Sequence, residues 1–514
     1  MSVYRGERAL DMIINKFMNI TLTILLCIIL IAAVPMCFAA IYGSSIAGTI
    51  VIAMILAVSL FIGYRIINSN MDNNKKVLFL FFIAVFLRVL WLMNAENTPN
   101  SDFNTMYYEG NQFIHGNSQV FKGTSYAARF PHFTMTVLYM GFMQYLFPQM
   151  NLTIMKAVNL LLGLAVIWIL YTAADKVFKN KKKSLYTLLI ACVFPPFITY
   201  TSVFCSENLA MPFYMGAVLF FIKAVHKSNT KSNEDGRDKC RLFELLVVSG
   251  ITLGIGNLFR MIADVVMIAY VLYIAVYFKE GILKKIESIL CVTIPYFLVL
   301  VCVSTCLQKM NITENPLWRG SEPKITSVLR GTNISSLGMW NAEDAAVAEE
   351  NIGNYDEIEK ECKSIIYQRL TTTNPLKLAA FYVGKVASQW CIGDFSGSLW
   401  TQKDLDDDRI IFKIGMFGSV PMQILYTIIL MMIFYGLRNK KNIIQYPELN
   451  LFYLIFLGYI GAYILTENQC RYGYIASWLF VVLGSDGVIT YIENRMKKQH
   501  ILNETNTFLE NTSL

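Results

Sequence analysis

Charge is scarce in this sequence. Asp, Glu, Lys and Arg make up 16% of its 514 residues, and 55% are hydrophobic, whereas a soluble domain carries about 25% charged residues. That deficit excludes the string of soluble domains that the length would otherwise suggest at roughly 150 residues each. No Cys-x-x-Cys spacing occurs, so a zinc-binding knuckle is absent from the eleven cysteines. Cys27, Cys37, Cys192, Cys291, Cys302 and Cys306 lie within apolar runs, as small buried hydrophobes do. Cys362 and Cys391 fall in the one large polar segment and leave room for a single disulfide. No dinucleotide fingerprint is present either. Gly254-Ile255-Gly256-Asn257-Leu258-Phe259-Arg260 follows no strand, and its glycines suit close helix packing. Internal repeats and low-complexity linkers are also missing. The net charge of +8 does not point to nucleic acid, because the basic residues stand in short clusters between apolar runs.

What the chain has in quantity is apolar runs long enough to cross a bilayer core, which takes about 20 residues as helix. Spans are expected at 17–41, 46–67, 77–94, 152–174, 184–203, 207–226, 242–259, 262–278, 285–306, 413–436, 449–466 and 470–489. The first follows Arg5, Arg8 and Lys16 and is too long for a signal-peptide core, so it reads as a retained anchor. With both termini cytoplasmic, every basic cluster falls inside: Lys75/Lys76, Lys176 to Lys183, Lys227 to Arg241, Lys279 to Lys285, Arg438 to Lys441 and Arg495 to Lys498. The sixteen residues from His132 to Phe147 reach only about 24 Å. They read as an amphipathic helix at the outer interface, bounded by Pro131 and Pro148.

The expected fold is therefore all-α and polytopic, with about twelve transmembrane helices. Residues 1–70 form two N-terminal helices, 71–306 a transmembrane module with a first outer loop at 95–151, and 307–412 an extracytoplasmic segment of roughly 100 residues. Residues 413–490 form the last spans and 491–514 a cytoplasmic tail. The 307–412 segment holds Trp318, Trp340, Trp390 and Trp400 and an acidic stretch at Asp404 and Asp406 to Asp408, read as a solvated loop face.

Ionisable residues are absent from the span centres. They gather at the outer ends instead: Arg88, Lys156, Arg260, Asp264 and Arg471, with Glu207 and Glu467 at the boundary. A transporter would place polar groups near the midplane. Several cations at headgroup depth suit a phosphate anion, although single arginines there also snorkel. Asp102, in Ser101-Asp102-Phe103-Asn104-Thr105-Met106-Tyr107, reads either as the N-cap of a short helix or as a general base at the membrane surface. Glu207, after Pro195-Pro196 and Ser206, reads as first-turn charge or as a second site carboxylate. Glu467-Asn468-Gln469-Cys470-Arg471-Tyr472 opens the last span with an arginine beside aromatic residues. His115 and His132, with Asp102 and Glu109, lack the tight spacing of a metal site, so a divalent metal is not required.

In this order the motifs resemble the GT-C superfamily of membrane glycosyltransferases, closest to the bacterial protein-mannosyltransferase and aminoarabinose-transferase-like group (glycosyltransferase family 39 and its relatives). The resemblance runs from about 77 to 280 and returns at 467–489. It rests on the Asp102–Tyr107 pattern closed by Gly116 and on Arg129-Phe130-Pro131 before the interfacial helix. It continues through Lys156, the Ser206-Glu207 pair, Arg260 and Arg471-Tyr472. It implies inverting transfer of a sugar from a polyprenyl-phosphate donor to a glycan, lipid or protein acceptor on the outer face of the cell membrane. By position it makes Asp102 the catalytic base and Glu207 a second carboxylate. Lys156, Arg260, Arg471, Tyr472, Tyr107 and Arg129 would bind substrate, and no cofactor is needed. The chain departs from the family in having Asp102-Phe103 where eukaryotic mannosyltransferases carry an Asp-Glu pair, and in its two additional N-terminal helices. A multi-span transporter or flippase, or a non-catalytic assembly protein, is the alternative.

Overall fold

The computed structural model describes residues 2–95, 97–229, 236–402, 413–415, 417–438 and 446–512. The acidic stretch at Asp404 and Asp406 to Asp408 lies outside them. The architecture is all-helical, with one isolated bridge between Gly415 and Gly418 among the described residues. Among the described residues, eight helices are long and apolar enough to cross a membrane: Met12–Ala39, Ile46–Ile67, Asn73–Met93, Asn151–Phe178, Ser206–His226, Arg241–Phe259, Ile282–Lys309 and Val420–Arg438. Two more apolar runs are bent pairs, Lys181–Val193 with Pro195–Ser202 (57°) and Cys470–Ala476 with Trp478–Lys497 (65°). The remaining two, Asp264–Tyr277 and Leu449–Leu465, are shorter helices. Each apolar run singled out in the sequence is thus mainly helical, while eight qualify as spans unaided.

The first bend has a chemical cause. Pro195 and Pro196 lack N–H groups, so the carbonyls of Ala191 and Cys192, four residues back, lose their helical donors. Arg88 takes their place. Its Nη1 donates to Cys192 O at 3.2 Å and to Ala84 O at 2.9 Å, and its Nη2 reaches Ala191 O at 3.5 Å. The side chain is fully buried against the negative end of the helix dipole of Lys181–Val193. This corrects the grouping of Arg88 with the phosphate-facing cations: its guanidinium serves the broken helix.

The 95–151 loop folds into the helices Asp102–Ile114 and Thr134–Leu146. They cross at Gly110 and Gly141, where a Cβ on either residue would lie 2.7 Å from the other's backbone. Gln144 Nε2 donates to Tyr107 O at 2.9 Å and Asn111 Nδ2 to Gln144 Oε1 at 2.9 Å, so the crossing is also bonded. In the 307–412 segment, Cys362 and Cys391 are free thiols, so the disulfide for which their positions left room does not form. Helix Pro375–Trp390 ends among the apolar helices. Trp390 is buried against Phe395, Phe456, Tyr463 and Phe480, and Tyr426 Oη donates to its carbonyl at 2.7 Å. The N-terminal helix is tied in as well: Gln423 Nε2 donates to both Ala33 O and Cys391 O.

Candidate active site

The chain enters the Asp102–Ile114 helix through Ser101, held at φ 50°. Ser101 is the N-cap and makes no side-chain capping bond; Asp102, expected as the cap, is the first helical residue. Its carboxylate is therefore not taken up by the backbone. Asp102 Oδ2 instead accepts from Arg471 Nη2 at 2.9 Å. The Arg471 side chain is 6% exposed and that of Asp102 35%, so one partner is buried and the other reaches solvent. Three rings hold the guanidinium, with Trp400 at 4.5 Å, Phe103 at 5.0 Å and Tyr472 at 5.4 Å from Cζ to ring centre. Arg471 Nη1 has no partner among the described residues. Tyr126 also reaches Asp102; burial and then the Asp102 charge push its phenol above the ordinary range, so it stays a neutral donor.

A second ion pair faces the first across Tyr472. Glu207, buried in the opening turn of the Ser206–Asn229 helix, lies 3.4 Å from Arg260 Nε. The Arg260 guanidinium sits 5.0 Å from the Tyr472 ring centre. Tyr472 Oη donates to Glu467 Oε1 at 3.2 Å, Glu467 Oε2 pairs with Arg330 at 3.1 Å, and Arg330 lies 3.6 Å from Glu322. Glu322 pairs in turn with Arg129 at 2.7 Å. The outer segment thus braces the two loops that flank the site. Gly320 permits this, since a Cβ there would lie 2.2 Å from Arg129 O.

Of the residues expected in the site, Asp102, Glu207, Arg260, Arg471 and Tyr472 come together, and Arg129 joins through Glu322. Lys156 and Tyr107 sit to the side. Lys156 Nζ donates to Ala95 O at 3.0 Å and lies 5.7 Å from the Phe204 ring; Tyr107 Oη donates to Asn151 Oδ1 at 2.9 Å and tethers its helix to Asn151–Phe178. Glu322, Arg330 and Trp400 were not singled out as site residues. No motif marks the first two, and the four outer tryptophans looked alike.

Two further groups lie close by. His132, between Phe130 and Phe133, is pushed down to about 3 by burial and then by Arg260 and Lys324, so it is neutral. Glu109 is buried on the helix that begins with Asp102, and burial pushes its carboxyl up to about 7. His115 Nδ1 faces Asn111 O at 2.8 Å on the exposed side. Among the described residues no three His, Cys, Asp or Glu side chains could jointly hold a metal ion.

Chemically, the cluster offers a solvent-reaching carboxylate for a proton, and one buried and one partly buried guanidinium for an anion. Residues 131–308 match the model of the family described as dolichyl-phosphate-mannose-protein mannosyltransferase. No curated protein sequence matches the chain. Among solved structures, the oligosaccharyltransferase AglB from Archaeoglobus fulgidus, in complex with an inhibitory peptide and a dolichol-phosphate, is 12% identical with a TM-score of 0.45. That match covers 84% of this chain and 52% of AglB, so the chain spans about half the length of that relative. ArnT from Cupriavidus metallidurans bound to undecaprenyl phosphate is 11% identical with a TM-score of 0.33, over 81% of this chain and 78% of ArnT. Over residues 131–308, about a third of its length, the chain is thus similar to a family of GT-C membrane glycosyltransferases.

Proposed function

We propose that the protein transfers a sugar from a polyprenyl-phosphate carrier to a glycan, lipid or protein acceptor at the outer face of the cell membrane, with inversion. One observation carries the reading: the ion pairs of Asp102 with Arg471 and of Glu207 with Arg260 meet at Tyr472, brought together from four separate stretches of chain. In the reaction an acceptor hydroxyl gives its proton to Asp102 while its oxygen attacks the anomeric carbon. The bond from that carbon to the phosphate oxygen breaks, and the electron pair leaves with the phosphate. Arg471 and Arg260 offset the growing charge, which acts most strongly in the transition state. A sugar phosphodiester is already activated, so neither a nucleotide nor a metal is needed. The basic clusters between spans support cytoplasmic termini and a site on the outer side.

Asp102→Asn tests this. The amide keeps the shape and cannot take the proton, so transfer from a polyprenyl-phosphate sugar should fall about 100- to 10,000-fold with folding retained. Undiminished transfer would overturn the reading, and substrate flux surviving the change would favour a transporter.

A further inference from the structure

Arg471 is an unusual partner for a catalytic carboxylate. One arm of its fork is on Asp102 and the other, Nη1, is buried with nothing to bond among the described residues. Three rings hold the guanidinium plane, while the Asp102 side chain is 35% exposed. The arginine is therefore fixed and short of an acceptor, and the carboxylate is loosely held from the solvent side. Water at the partly exposed Asp102 carboxylate screens this ion pair on one side. A second anion arriving at Nη1 forms a charge-assisted bond at a site that is already dry.

We propose that the pair of Asp102 and Arg471 is the resting state of the site and that a lipid-linked phosphate opens it. The phosphate takes Arg471, and the carboxylate becomes available to the acceptor only with the donor in place. This rests on the function proposed above and adds an order to it, donor before acceptor. The leaving phosphate gains a second negative charge as the sugar bond breaks. Arg471 is then drawn from Asp102 most strongly just as the acceptor's proton must be taken. Glu207 and Arg260 make a second pair against Tyr472, with the carboxylate buried; that pair stays closed, and Arg260 acts on the phosphate through its charge without leaving Glu207.

The inference makes a prediction that a simple base does not. If Asp102 competes with phosphate for Arg471, removing its charge should strengthen carrier binding while abolishing transfer. Undecaprenyl phosphate without a sugar, titrated into purified wild type and Asp102→Asn, should bind the variant about tenfold more tightly. The neutral polyprenol should not distinguish them. Equal or weaker binding by a folded variant overturns the inference. Should Asp102→Asn fail to fold, the wild type decides. Trp400 stacks on Arg471, so the fluorescence change on adding undecaprenyl phosphate should include a component that Trp400→Phe removes; its absence also overturns the inference. Failure of the wild type to bind the carrier at all is a different result, which removes the donor reading itself.

Discussion

Arg88 and Arg471 are both buried, and each stands beside a break in an apolar helix, yet they do different work. Arg88 bonds to backbone carbonyls that two prolines have stripped of their donors. Arg471 gives one arm to a carboxylate that solvent can reach, and its other arm has no partner among the described residues. The first arrangement repairs a helix, and no anion is called for. The second leaves a buried donor open to an anion. Burial alone does not separate a structural from a functional arginine; the nature of the acceptors does.

The largest effect should come from breaking the structural member. Arg88→Leu leaves the carbonyls of Ala191 and Cys192 unsatisfied, at about 1–3 kcal/mol each. Thermal unfolding in detergent should show a drop of several degrees or outright loss of folded protein, whereas Arg471→Leu should stay folded and lose carrier binding. Equal stability of the two variants would erase the contrast.

A smaller effect sharpens it along one helix. Asp102 and Glu109, seven residues apart, lie on the same helical face, one reaching solvent and the other buried. The raised pKa of Glu109 means that the fold prefers its neutral form. Its stabilising contribution is complete below about 4.5 and is lost as pH rises through about 7. Glu109→Gln should therefore raise the unfolding temperature at pH 8, by an amount equivalent to about 2–3 kcal/mol, and leave it unchanged at pH 4. No gain at pH 8 would mean that the carboxylate is ionised at no cost.

The smallest effect is a rescue. Adding Pro195→Ala and Pro196→Ala to Arg88→Leu returns N–H groups to the two carbonyls and should recover about 1–2 kcal/mol. It should also straighten the 57° bend and displace the helix that begins at Ser206, so activity should stay low. Recovery of both stability and activity would show that the bend has no part in placing Glu207.

Much of this was legible in the sequence. The apolar runs gave the helices, because hydropathy and length suffice for that, and the charges at the span ends grouped Glu207, Arg260 and Arg471, but with Arg88 and Lys156, which bond to backbone carbonyls instead; Asp102 stood out by its motif. The role of Arg88 was half visible: Pro195-Pro196 announced a break, but not which side chain would serve the freed carbonyls. Glu322 and Arg330 were invisible. Each pairs across more than 130 residues of chain, through Arg129 and Glu467, with nothing local to mark it. The cap assignment at Asp102 failed because a chain turned at positive φ through Ser101 starts the helix one residue earlier than the side-chain chemistry suggested.

Asp102 and Arg471 are 369 residues apart in the chain. A ribosome adding about 5–20 residues per second makes the second roughly 20–70 s after the first. Through that interval the carboxylate has been made and its guanidinium has not, so a chain that stops short of Cys470–Ala476 holds Asp102 without its ion-pair partner.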